Sequence, residues 1–141
     1  HNLNVFRANG LSVCKQDNTY DTAIGICYIH NLSNARKAIS EMARIGSKYI
    51  IIIEPNPFSL LGIYHLLSPT ERFSSLRFTK AYITNLFELS NLQVVYSKKY
   101  SYITPNKLPA LSSLLKNLPF QGLLGFYIIM IGEKKQTKVK A

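Results

Sequence analysis

The stretch that decides the fold begins at Asp17-Asn18-Thr19-Tyr20-Asp21 and enters the apolar run Thr22–Ile29. It continues through His30-Asn31-Leu32, Ser33–Ile45 and Tyr49–Ile53, and ends at Glu54-Pro55-Asn56. Thr22–Cys27 is almost continuously apolar, the composition of a strand buried on both faces. Gly25 within it leaves room for a close backbone or ligand approach. Ser33 or Asn34 caps the next helix. Ala35, Ala38, Ile39, Met42 and Ile45 recur at helical spacing as one apolar stripe, and Arg36, Lys37, Glu41 and Arg44 fall off it. Gly46 is a fitting helix stop, and Tyr49–Ile53 reads as a second buried strand. Strand, helix and strand in so short a span imply a crossover unit with a parallel sheet.

Working outward, 141 residues give room for one domain with a single core. A hydrophobic content of 47% favours a packed globule over disorder. Asn4–Ala8 reads as a short strand ending at Asn9-Gly10, followed by a loop to Tyr20. Beyond Pro55, Phe58–Leu67 is expected to be helical, and Thr79 caps a helix to about Leu89 with Tyr82, Ile83, Leu86 and Phe87 inward. A strand within Leu92–Ile103, a short helix at Pro109–Leu118 and a last strand at Leu123–Ile131 follow, the close spacing suiting a terminal antiparallel pair. Residues 1–132 are expected to form the α/β domain and 133–141 a basic tail.

Cys14 and Cys27 lack the spacing of a zinc site or a disulfide framework, so free thiols in a reducing compartment and no metal are expected. The longest apolar runs, Tyr49–Ile53 and Gly122–Gly132, fall short of the roughly 20 residues of a membrane span. No secretory signal opens the chain at His1-Asn2-Leu3-Asn4, and a cytoplasmic location is expected. The net charge is +10, with Lys134, Lys135, Lys138 and Lys140 near the end. Such a balance leaves attraction to nucleic acid or an anionic membrane surface open beside a plain solvated tail.

In open parallel sheets, ligands bind outside the carboxyl ends of the strands. Three corners of this sequence belong there: Asn9-Gly10, Gly25–His30 and Glu54-Pro55-Asn56. In this order they resemble the class I S-adenosylmethionine (SAM)-dependent methyltransferases, in particular the group with A-D-A-x-x-L-P-F-x-D-N-S-F-D followed by H-H-L. Here the matching text is Ala8-Asn9-Gly10-Leu11-Ser12-Val13-Cys14-Lys15-Gln16-Asp17-Asn18-Thr19-Tyr20-Asp21, then Ile29-His30-Asn31-Leu32 in register. Ala35–Ile45 is similar to the family's A-L-x-E-M-x-R-V helix.

The resemblance implies a partial Rossmann-like α/β sheet holding strands 3 to 7 of the family order 3-2-1-4-5-7-6. It implies SAM as cofactor, with Asn9 accepting from the adenine amino group, where the family has an aspartate. Gly10 would offer a backbone N–H to the adenine edge, and Gly25 and Ile26 would lie along the cofactor. His30 matches the first His of H-H-L, the candidate base near the methyl-transfer site. Glu54 and Asn56 would line the acceptor side, and His65, Glu71 and Arg72 fall in the acceptor-side segment. The family's glycine-rich first loop and the acidic residue on its second strand have no counterpart. Weak or absent cofactor binding by this chain alone is therefore expected, with residues 1–16 loosely held and an open sheet edge prone to self-association. The function implied is methyl transfer to a small-molecule or lipid-like acceptor as part of a complete enzyme. A non-catalytic α/β scaffold and a basic nucleic-acid-binding domain are the alternatives.

Overall fold

Each apolar run forms the element its period dictates. In the computed structural model, which describes residues 7–59, 78–100 and 125–135, strand β1 spans Tyr20–Ile26 and helix α1 spans Ala35–Ile45. Strand β2 follows directly at Gly46–Pro55, and helix α2 covers Lys80–Leu89. Strands β3, Leu92–Tyr100, and β4, Tyr127–Lys134, come next. Both helices start where a side-chain oxygen accepts an otherwise unpaired N–H: Asn34 takes that of Lys37, and Thr79 that of Tyr82.

The described strands lie in the order β1-β2-β4-β3. β1 and β2 are parallel, from Thr22 beside Tyr49 to Ile26 beside Ile53. β4 is antiparallel to both of its neighbours, so it alone runs against the other three. This is the expected crossover unit with its terminal antiparallel pair, and its order corresponds to 4-5-7-6 of the sheet it resembles. Ala38, Ile39 and Met42 of α1 and Ile83, Leu86 and Phe87 of α2 form one core with Ala23, Ile50, Ile52, Ile128 and Met130 of the sheet. The two helices touch, and the hydroxyls of Ser40 and Ser90 meet at 3.1 Å.

Several expectations need correction. β1 is not buried on both faces: Ile24 is 59% and Ile26 63% exposed, because the described helices cover only the face of Ala23 and Gly25. Gly46 is not a left-handed helix stop; its φ is −83° and the chain passes straight into β2. A Cβ there would lie 2.8 Å from Ile50 Cδ1 and 3.1 Å from the Met42 carbonyl oxygen, so a larger residue would push the Ile50 side chain aside. β4 starts at Tyr127 and runs through Lys134, so Glu133 and Lys134 belong to the sheet and not to a tail. The Nζ of Lys134 donates to Asn18 Oδ1 at 2.7 Å. Arg7 and Ala8 are not in a strand, and residues 4–6 of that expected strand lie outside the described residues. So do most of Phe58–Leu67 and all of Pro109–Leu118, His65, Glu71 and Arg72. Cys14 and Cys27 are both free, as expected. Among the described residues, no helix is long and apolar enough to cross a membrane.

Candidate functional site

The parallel register places the residues after β1 level with the end of β2: Gly25 stands beside Ile52 and Ile26 beside Ile53. Cys27 then takes a φ of 48°, unusual for a residue with a Cβ, and turns the chain out of the strand. Its N–H still donates to Ile53 O at 2.8 Å, and its carbonyl accepts from Asn31 Nδ2 at 3.0 Å. This bend delivers the backbone of Tyr28 and Ile29, and the side chain of His30, onto Glu54. Glu54 is fully buried. Its Oε1 accepts the N–H groups of Tyr28 and Ile29, each at 2.8 Å, and its Oε2 lies 2.5 Å from His30 Nδ1. A buried carboxylate has to be met by donors, and three meet this one.

Asn56 is also fully buried. Its Nδ2 donates to Gly125 O at 2.7 Å and its Oδ1 accepts the Phe58 N–H at 3.2 Å. Glu54 and Asn56 were expected to line the acceptor side. The structure instead turns both inward, one holding the His30 turn and the other tying β2 to the start of β4. Phe78 packs edge-on to His30 with ring centroids 6.5 Å apart. The His30 side chain keeps 15% of its surface exposed.

On the other flank of β1, Gly10, Gly25 and Ile26 converge on one cavity of about 300 Å³, with Tyr28, Glu41 and Met42 also in its wall. Tyr28 lies directly over Gly10, where a Cβ would sit 1.7 Å from its hydroxyl oxygen, so any larger residue would displace the Tyr28 ring. Burial, and secondarily the charge of Glu41, pushes the Tyr28 phenol above its ordinary value and keeps it a donor. Asn9 is not in this wall. Its side-chain oxygen accepts the Leu11 N–H at 3.0 Å in a local turn. The structure thus brings together three of the four expected cofactor residues.

Sequence reasoning missed what holds the loop beside this cavity. Arg44 Nη2 donates to Glu41 Oε1 at 2.7 Å and to Val13 O at 2.9 Å. Its Nη1 donates to Asp17 Oδ1 and to Lys15 O, both at 2.7 Å. Glu41 Oε1 accepts the Val13 N–H at 2.7 Å. Val13, Lys15, Asp17 and, through its N–H on Arg44 O, Asn18 are therefore tied to α1, in a segment the sequence led one to expect loosely held up to residue 16. The only signal for this clamp was the spacing of Glu41 and Arg44 on one helix face. A second missed pair is Cys27 with Tyr127. Burial first, then the Glu54 charge, raises the Cys27 thiol, against the opposing hydrogen bond from Tyr127. What the structure shows of Cys27 is the bend.

No protein-family model and no curated protein sequence matches the chain. Solved structures do. A SAM-dependent methyltransferase from Thermotoga maritima superposes with a TM-score of 0.66 at 17% identity, over 94% of this chain and 65% of that one. One from Archaeoglobus fulgidus gives 0.62 at 18% identity, over 93% and 67%. The fold is that of the class I SAM-dependent methyltransferases. Magnesium protoporphyrin IX methyltransferase from Synechocystis, solved with bound S-adenosylhomocysteine (SAH), matches the same class I fold at 0.56 and 13% identity, over 91% and 49%. The chain thus spans between about half and two thirds of the length of these class I proteins.

Proposed function

We propose that this chain contributes to SAM-dependent methyl transfer onto a small-molecule or lipid-like acceptor, as part of a complete enzyme. The observation that carries the reading is one convergence: the Gly10 loop, the end of β1 and Tyr28, the residue that leads into the His30 turn, meet at the carboxyl edge of a sheet with class I order. When bound, SAM supplies an electrophilic methyl group on a good leaving group. The protein's task is then to align donor and acceptor and to exclude water. Gly10, Gly25 and Ile26 would hold the adenine side in their cavity, beneath Tyr28. Among the described residues, none that lines that cavity is a cation, so the cofactor's carboxylate finds no partner among them. Each charge-assisted hydrogen bond lost costs roughly 1.5–3 kcal/mol, which keeps binding by this chain weak. Phe58, 57% exposed beside buried Asn56, offers an apolar surface to the acceptor. A cytoplasmic location belongs to the same reading and is supported by the two unbridged thiols.

Titration of SAH into the isotopically labelled chain tests this. Shifts confined to the amides of Gly10, Gly25, Ile26 and Tyr28 at millimolar ligand are expected. Shifts absent or scattered at saturation would favour a non-catalytic scaffold, and micromolar affinity would show that the site is misplaced.

A further inference from the structure

Glu54 carries an asymmetry that decides more than the position of His30. Both backbone donors, from Tyr28 and Ile29, fall on Oε1, and His30 Nδ1 alone faces Oε2. An ionised carboxylate only accepts, so the imidazole must present Nδ1–H to it. The ring's one remaining lone pair is then on Nε2. Phe78, itself fully buried, fixes the ring plane from the side. The His30 side chain as a whole keeps 15% of its surface exposed.

Resting on the methyl-transfer reading, we propose that Glu54 is a positioning residue that locks His30 in the Nδ1–H tautomer. The acceptor is then a molecule whose nucleophilic oxygen or nitrogen still carries a proton, a phenol or other hydroxyl being the simplest case. The acceptor's O–H bond breaks and its proton passes to His30 Nε2; the electron pair left on the oxygen would form the O–CH₃ bond as the donor's S–CH₃ bond breaks, that pair leaving on the sulfur of SAH. Acceptors that are already anionic, or that bear no proton on the nucleophilic atom, do not need this arrangement. The same geometry dictates what the isosteric Glu54→Gln change does. The two backbone N–H groups still demand an oxygen, so the amide oxygen stays where Oε1 was. The amide NH₂ then faces His30 and requires Nδ1 to accept, which moves the ring proton to Nε2.

The test is a long-range proton–nitrogen correlation spectrum of the His30 ring in the full ¹⁵N-labelled chain, at about pH 8.5, above the ordinary imidazole range. The original chain is expected to show Nδ1 protonated and Nε2 bare, and Glu54→Gln the reverse, with an unchanged backbone spectrum. A bare Nδ1 in the original chain, or a tautomer that ignores Glu54→Gln, would overturn the positioning role; a merely structural Glu54 would not invert the ring. Phenol and its methyl ether, anisole, then probe the acceptor class. Phenol is expected to shift the Nε2 resonance in the original chain and anisole to leave it in place. Equal responses, or none, would overturn the acceptor class. The tautomer is read without cofactor, so a chain that passes this test and fails the SAH titration has the dyad without the methyl-transfer function.

Discussion

The two faces of the sheet carry nearly the same residues and have opposite fates. Ile50 and Ile52 on β2 are fully buried under α1 and α2, and Met130 on β4 joins them. One residue along each strand, Ile24 and Ile26 on β1 are more than half exposed, as is Tyr100 on β3. Side chains alternate across a pleated strand, so a single covered face splits an isoleucine run into core and surface. Hydrophobicity alone therefore does not locate the core of this chain; the helix stripes do. The site follows the same division, because Glu54 falls on the covered face and Ile53 and Pro55 flank it.

The comparison predicts its largest effect inside. Ile52→Ala removes a fully buried side chain that packs beside Gly25 and should lower unfolding free energy by roughly 2–5 kcal/mol in chemical denaturation. A loss below that range would mean that the helix-covered face is looser than its burial indicates. Next comes the polar bracket at the end of β2. Asn56→Ala leaves the Gly125 carbonyl and the Phe58 N–H without this partner, and should cost roughly 1–3 kcal/mol. Replacement by Asp keeps the Phe58 contact and sets a carboxylate against the Gly125 carbonyl, so it should be no milder than Ala.

Much of the covered side was legible in the sequence. The stripe Ala35–Ile45 with Asn34 before it, and Thr79 before Ile83, Leu86 and Phe87, specified both helices and their inward faces. The crossover between Thr22 and Ile53 specified the parallel pair. What was not legible is register and cover. Four consecutive isoleucines, Ile50 to Ile53, look identical from either side. A carboxylate after a strand usually faces water, and Glu54 is buried only because the β1–β2 register sets the Tyr28 and Ile29 backbone beside it. Backbone donors leave no side-chain signature. The motif resemblance makes Asn9 a cofactor ligand, but in the structure its oxygen accepts from Leu11 in its own turn. Arg44 falls off the apolar stripe just as Arg36 and Lys37 do, yet it gathers carbonyls of Val13 and Lys15 that are distant in sequence.

That clamp gives a smaller, pH-dependent contrast between the two sides of α1. The Arg44 hydrogen bond, more than the Val13 N–H, pulls the Glu41 carboxyl below its ordinary value, while burial opposes it. A lowered folded pKa adds stability that is fully present above the ordinary carboxylate range and is lost as pH falls through the folded value. Glu41 keeps 14% and Arg44 31% of its side-chain surface exposed, so solvent screens the pair and roughly 0.2–1 kcal/mol is the expected scale. Glu41→Gln should flatten the acid limb of the stability profile and speed amide exchange at Val13. An unchanged acid limb would show that the loop is held by the carbonyl contacts of Arg44 alone.

The smallest effect belongs to the other face, and it most sharply tests the difference between the covered and the open side of the sheet. Ile24 and Ile26 point away from α1, and Ile26 is 63% exposed. Replacing a side chain that water already reaches changes little on folding, and surface changes away from special features stay within about 0.5 kcal/mol. Threonine keeps the β-branch that suits a strand, so Ile24→Thr and Ile26→Thr should leave the denaturation midpoint almost unmoved. The measurement is made at two protein concentrations tenfold apart. A neutral result at both leaves the face open, as its exposure indicates. A destabilisation near that of Ile52→Ala at both concentrations would mean that other parts of the chain cover these residues. A penalty that appears only at the higher concentration would mean that a second copy does, through the edge of β1 that no described strand pairs.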